Sequence, residues 1–276
     1  MEKKVKYKKE KKDDYKHKKQ FGQNFMKDMS FLEKIMEASN PLKDETILEI
    51  GPGDGAMTQM LLERVNKVIC VEIDRDLQPI LETKFKDKSN FNLIMQDILT
   101  VDFDEKIGEK VKVIANIPYY ITSPIVNKLI ENRKYVDEIY IMVQKEVAER
   151  ITAKPGNSDC SVLTLAVKYF GDSEYLFTIP KELFEPAPKV DSAFMKIVLR
   201  KDNPYEKLVK EETFFKYVKG AFLSKRKNIL NNFSAMGYNK AELKELFEAN
   251  GISHTDRAED LSIDDFVKVI DLLEKI

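Results

Sequence analysis

The chain has 276 residues, 43% of them hydrophobic, so it carries enough apolar side chains for a sizeable core and is not globally disordered. No apolar run approaches the roughly 20 residues of a membrane span, and the Lys-rich start lacks the apolar stretch of a secretory signal and the arginines of a transit peptide, so a cytoplasmic protein is expected. The net charge of −1 is unevenly spread: residues 1–19 hold ten Lys against four acids, a tail of +6 that leaves −7 for the rest, and a basic arm on a mildly acidic body suits a polyanionic partner.

After this basic, disordered-type tail the apolar spacing predicts a helix over 29–38, ended by Pro41. Strand-like and helix-like segments then alternate: strands at 46–50, 67–72, 91–95, 111–116 and 138–143, and helices at 57–65, 76–85, 123–131 and 144–152. Repeated βα units with short apolar strands predict an α/β, Rossmann-like parallel sheet covered by helices on both faces. The pattern changes at a helix over 159–170, followed by strands at 174–179 and 192–199. The Pro-rich loop between those two strands has no helix long enough for a crossover, so the last strand is expected to run antiparallel. Asn203-Pro204 reads as a linker. Everything from Tyr205 is helical, with a break near Met236-Gly237, which predicts a small all-helical domain over 204–276 behind a larger domain over 20–203.

Cys70 and Cys160 lie in apolar segments without CxxC or Cys/His spacing and read as core thiols. His17 and His254 are far apart, which argues against a His-based triad and a zinc site; no metal is expected. Chemistry concentrates instead at strand ends. ILEIGPGDGAMT (47–58) reads as strand, glycine turn and helix, and Gly51, Gly53 and Gly55 let the backbone turn sharply and lie against a ligand. Glu72 ends the next strand, where an acid can accept both ribose hydroxyls, and Asp97 follows the third strand, where it can meet an adenine amino group. NAD and S-adenosylmethionine both fit that order. Glu49, just before the turn, suits a cationic sulfonium better than a pyrophosphate, and no arginine near the turn serves a phosphate.

Asn116-Ile117-Pro118-Tyr119 follows the fourth strand, beside the expected methyl donor. An exocyclic adenine amine is a weak nucleophile because its lone pair is delocalised into the ring. Two acceptors on its N–H bonds, the Asn116 oxygen and a backbone carbonyl at Ile117 or Pro118, would draw it toward a tetrahedral, nucleophilic shape. Pro118 fixes the backbone, and Tyr119 offers a ring for a base. The leaving group is a neutral thioether, so no strong base or metal is required.

The motifs GQNFM, LEIGPGDGAMT, VEID, QDIL, NIPYYITSPI, FEPAPKVDSAF and RAEDLS occur in this order, within a similarity that covers residues 18–276. Together they resemble the ribosomal RNA adenine N6,N6-dimethyltransferases of the small-subunit (16S) group, which modify two adjacent adenosines near the 3′ end of that RNA. The resemblance implies a class I methyltransferase sheet and S-adenosyl-L-methionine as cofactor. It places Asn24, Met26, Gly51, Gly53, Glu72, Asp97 and Asn116 as cofactor contacts, with Asn24 and Met26 closing over it; the family usually has Leu where Met26 stands. It makes Asn116, Pro118 and Tyr119 the catalytic loop and stacks Phe184 on the other face of a flipped adenine. The implied partner is 16S rRNA in the immature 30S subunit, met by a monomeric enzyme of subunit biogenesis.

Lys216, Lys219, Lys225, Arg226 and Lys227 fall on or beside one predicted helix and resemble a phosphate-binding patch, although the small-subunit group often has a run richer in Arg at 224–227. Three alternatives remain at this point. A non-catalytic assembly factor would have no need of Glu72, Asp97 and NIPY. A large-subunit rRNA methyltransferase shares the glycine turn and loop but differs from FLSKRKNILNNF and RAEDLSIDDF. A DNA adenine methyltransferase often carries a similar Asn/Asp-Pro-Pro-Tyr loop but not this order of motifs.

Overall fold

The computed structural model describes residues 24–26 and 28–276; the basic tail at 1–19 and the opening of GQNFM lie outside the described residues. After a two-residue strand β1 (Phe25–Met26), helix α1 (Met29–Ser39) opens where the Asp28 carboxylate accepts from the Phe31 N–H at 3.0 Å and closes on Asn40 in the left-handed region. The alternation follows: β2 (Thr46–Ile50), α2 (Ala56–Leu62), β3 (Lys67–Glu72), α3 (Gln78–Phe85), β4 (Phe91–Met95), a short α4 (Phe103–Lys106), β5 (Val111–Asn116), α5 (Thr122–Glu131), β6 (Val136–Gln144), α6 (Lys145–Thr152) and α7 (Val162–Phe170). The chain continues through β7 (Gly171–Ile179), a two-residue β8 (Phe184–Glu185) and β9 (Ser192–Leu199). Helices α8 (Glu211–Ala221), α9 (Ile229–Ala235), α10 (Lys240–Ala249) and α11 (Ile263–Leu273) complete it.

The main sheet has seven strands in the order β4-β3-β2-β5-β6-β9-β7. Strands β2 to β6 are parallel, and β9 runs antiparallel between β6 and β7. This is the mixed, mostly parallel sheet that the βα alternation predicts. The last strand is antiparallel because the connection over residues 180–191 holds only a 3-10 turn and β8, too little for a crossover. All five residues of β2 are buried, as a central strand covered on both faces requires. Strand order reverses between β2 and β5, and the carboxyl ends flanking such a switch point form a natural crevice.

Each face of the sheet has its own apolar layer. One packs Leu32, Ile35, Met60, Leu61, Leu81 and Phe85 of α1–α3 against it. The other runs from Val113 and Ile139 through α5–α7 and on without a break into Phe214, Phe233, Phe247 and Phe266 of the C-terminal helices. Tyr169 of α7 is the junction: its ring lies 4.4 Å from that of Phe214, 5.6 Å from Phe215 and 5.8 Å from Tyr205. Capping boxes at Ser161/Thr164 and Ser262/Asp265 set the starts of α7 and α11. The antiparallel β1·β8 ribbon, which pairs Met26 with Phe184, is too short for any periodic signal.

Candidate active site

The glycine turn leaves β2 with Gly51, Gly53 and Gly55 at φ of +69°, +60° and +77°, a region that side chains with a Cβ avoid. A Cβ on Gly53 would also meet the Phe25 ring at 2.8 Å, so glycine lets β1 lie directly on the turn. Gly51 and Gly53 face a cleft at the carboxyl ends of the strands; Gly55 packs on Phe85 and Leu81 instead. The cleft encloses about 890 Å³ including its open mouth, which suits a nucleoside-sized ligand.

Glu72 lines this cleft from the end of β3. Its Oε1 accepts the backbone N–H of Ile73 at 2.9 Å and of Asp74 at 2.8 Å, and the Gly53 N–H also donates to the carboxylate. Burial pushes its pKa up, and those backbone bonds pull against that. The carboxylate is therefore held in one orientation with acceptor capacity to spare for a ligand hydroxyl. Asp97 lines the cleft after β4, with one oxygen accepting the Leu99 N–H at 3.0 Å. Asn116 ends β5, and its Nδ2 donates to the Asn24 carbonyl at 2.8 Å, so the amide oxygen is the acceptor it can offer the cleft. Ile117, Pro118 and Tyr119 complete that wall.

Among the described residues, two carboxylates and no Lys, Arg or His line the cleft. That donor set fits an adenosine carrying a sulfonium and offers a pyrophosphate no cationic side chain, which favours the sulfonium over NAD. Glu49 plays a different part from the one its position suggests. Its side chain is 1% exposed and borders a smaller adjoining cavity together with Phe25, Gly51 and Asn116. There it accepts from the Thr58 hydroxyl at 2.6 Å and sits 3.5 Å from the Cys70 thiol, while burial pushes its pKa up to about 7.

Residues 14–275 match the family described as ribosomal RNA adenine dimethylase. The chain belongs to that family. Among its curated relatives is ribosomal RNA small subunit methyltransferase A of Fusobacterium nucleatum, 54% identical over 262 residues that cover 95% of this chain and 99% of that protein. The Lactococcus lactis protein of the same name is 41% identical over 94% of this chain and 91% of its own. Among solved structures, a dimethyladenosine transferase from Plasmodium falciparum superposes with a TM-score of 0.75 at 27% identity, covering 91% of this chain and 97% of that one. The 23S rRNA methyltransferase ErmE gives 0.72 at 25% identity, over 91% and 100% of the two chains. Family and fold together imply use of S-adenosylmethionine and an rRNA substrate.

Of the residues singled out in the sequence, Asn24, Gly51, Gly53, Glu72, Asp97, Asn116, Pro118 and Tyr119 meet around one cleft. Met26 and Phe184 do not line it. They pair across the β1·β8 ribbon, 5% and 4% exposed, and pack into the apolar layer on the α1–α3 side. Phe25 lines the cleft in place of Met26, because alternate residues of an extended segment face opposite ways. Ile73, Ile98 and Tyr120 line it as well and carry no motif of their own beyond adjacency to Glu72, Asp97 and Tyr119. The basic residues divide between two elements. Lys216 and Lys219 are exposed on α8, whereas Lys225, Arg226 and Lys227 are exposed in the turn between α8 and α9. Buried Asn232 stitches that turn, donating to the carbonyls of Ala221, Ser224 and Lys227 at 2.6, 3.1 and 3.4 Å. No helix among the described residues is long and apolar enough to cross a membrane.

Proposed function

We propose that this protein dimethylates N6 of two adjacent adenosines near the 3′ end of 16S rRNA in the immature small subunit, with the cleft holding S-adenosylmethionine. The observation that carries this reading is Asn116, whose amide nitrogen is committed to Asn24 while its side chain borders the cleft in an NIPY turn. The cofactor, when bound, supplies a methyl group on a positively charged sulfur.

Glu72 accepts the ribose hydroxyls, Asp97 the adenine amine, and Gly51 and Gly53 let the backbone approach. Asn24 and Phe25 close over the bound molecule, with Met26 and Phe184 holding the ribbon that carries them. On the substrate side, the Asn116 oxygen and one backbone carbonyl accept the two N–H groups of the target amine and localise its lone pair. The Pro118 carbonyl already accepts the Ile121 N–H at 3.3 Å, which favours the Ile117 carbonyl as the second acceptor. The Tyr119 ring stacks on the target base. The proton released from nitrogen passes to solvent at the open mouth. Alignment of this kind is worth about 7–11 kcal/mol in well-oriented reactions.

Residues 20–203 carry the reaction in this proposal, and the helical unit over 204–276 extends the grip on RNA through Lys216, Lys219, Lys225, Arg226 and Lys227. The small-subunit relatives at 54% and 41% identity favour that substrate over the large-subunit one. In the test, Asn116→Ala is expected to abolish transfer of labelled methyl groups to immature small subunits. Primer extension across the RNA 3′ end should lose the stop that dimethylated adenine causes. Full activity in the variant would refute the role of the loop. Calorimetry on the unaltered protein separates an enzyme from a pure assembly factor, since the latter would show no S-adenosylmethionine binding.

A further inference from the structure

Tyr119 and Ser192 meet across the sheet. Tyr119 follows β5 and Ser192 opens β9, with β6 between them, and their hydroxyls form a short hydrogen bond over the carboxyl end of β6. Ser192 is fully buried and does not line the cleft, so it can touch the reaction only through Tyr119. It is also a fixed post. Gln144 of β6 pairs with it on one side and Ile179 of β7 on the other. The adjacent Asp191 accepts the Lys145 N–H at its carbonyl (3.0 Å) and the Lys181 N–H at its carboxylate (3.1 Å).

The turn that holds Tyr119 does not by itself bury a ring, because its next residue, Tyr120, is 60% exposed. What distinguishes Tyr119 is the tether. Burial pushes the Tyr119 phenol's pKa up, so the group stays a neutral hydroxyl able to share a proton with Ser192.

We infer that Ser192 is a positioning residue for methyl transfer: it anchors the Tyr119 phenol and thereby sets the plane of the ring on which the target adenine stacks. This rests on the stacking role proposed for Tyr119. A rigid ring plane matters because the amine must lie in line with the donor carbon, and misplacement by an ångström can cost about 100-fold in rate.

The test compares Ser192→Ala, Tyr119→Phe and the double variant. It measures kcat and KM on immature small subunits, S-adenosylmethionine affinity by calorimetry, and thermal melting. Each single change is expected to lower kcat by about tenfold or more while KM and cofactor affinity shift by less than about twofold. The double variant should be no slower than the slower single one, because one tether is lost in all three. Ser192→Thr, which keeps the hydroxyl, should recover kcat to within about threefold. If Ser192→Ala fails to fold, Tyr119→Phe carries the test, since it removes one oxygen only. Unchanged kcat in Ser192→Ala, or losses that multiply in the double variant, would overturn the inference. An unaltered protein that transfers no methyl group at all would bring down the proposed function and this inference with it. An active one beside an unaffected Ser192→Ala would overturn the inference alone.

Discussion

Glu49 is an acid buried at the heart of this fold, where its ionised form is disfavoured. Desolvation raises its pKa from 4.5 to about 7; hydrogen bonds from Thr58 and Cys70 pull it down, Glu72 pushes it further up, and Lys84 lowers it slightly. A raised folded-state pKa means that the native protein binds the proton more tightly than the unfolded chain. The associated stability is complete below about pH 4.5 and is lost as pH rises toward about 7, a swing on the order of 3 kcal/mol. Glu49→Gln removes that titration while keeping an oxygen for Thr58. Its urea unfolding free energy is expected to match the unaltered protein near pH 5 and to exceed it at pH 8; parallel pH slopes for the two proteins would contradict this. At this scale much was legible in advance. Glu72 and Asn116 each end a strand and Asp97 follows one closely, and strand ends can be read from hydrophobic runs. The Tyr119–Ser192 tether joins residues 73 apart, and nothing in either local segment signals it. The turn of Met26 away from the cleft depends on a two-residue ribbon that leaves no period to read.

Among the elements, the break between α8 and α9 is one that the sequence, read as helical from Tyr205 with a break only near Met236-Gly237, does not place. Of the five basic residues read as lying on or beside one helix, Lys216 and Lys219 lie on α8 and the other three beside it, because α8 stops at Ala221 and Asn232 from α9 gathers the carbonyls of Ala221, Ser224 and Lys227 into an ordered loop. Three cations project from a backbone that Asn232 already orders, so in the proposed grip on RNA little ordering would be left to do on binding. Replacing Lys225, Arg226 and Lys227 by Gln is expected to weaken binding to small-subunit RNA and to flatten the dependence of log K on log salt by about three units, roughly one for each phosphate no longer neutralised. Fluorescence anisotropy across a salt series measures this, and an unchanged slope would show that the turn faces solvent only. The parallel strands, by contrast, were readable nearly to the residue, because short apolar runs between glycine and acidic signals leave few alternatives. The insertion of β9 between β6 and β7 was not, since sequence order does not specify which neighbour a returning strand takes.

At the scale of the whole molecule, the apolar layer passes from the sheet into the C-terminal helices through Tyr169, which is fully buried and donates its hydroxyl to the Val209 carbonyl at 3.3 Å. Tyr169→Ala would open a cavity at that junction and is expected to cost about 3–5 kcal/mol. Because the two regions share one core, urea should unfold the unaltered protein in one transition followed equally by circular dichroism and tyrosine fluorescence. Two separated transitions would show that the helical unit stands alone. The shared core also joins the basic turn and the cleft in one body, so under the proposed function the molecule would work as a caliper. In the proposed function an RNA would be accepted when its phosphates and an unstacked adenosine lie at the matching separation. Under that reading the second adenosine would reach the same jaws once the RNA slips forward by one nucleotide.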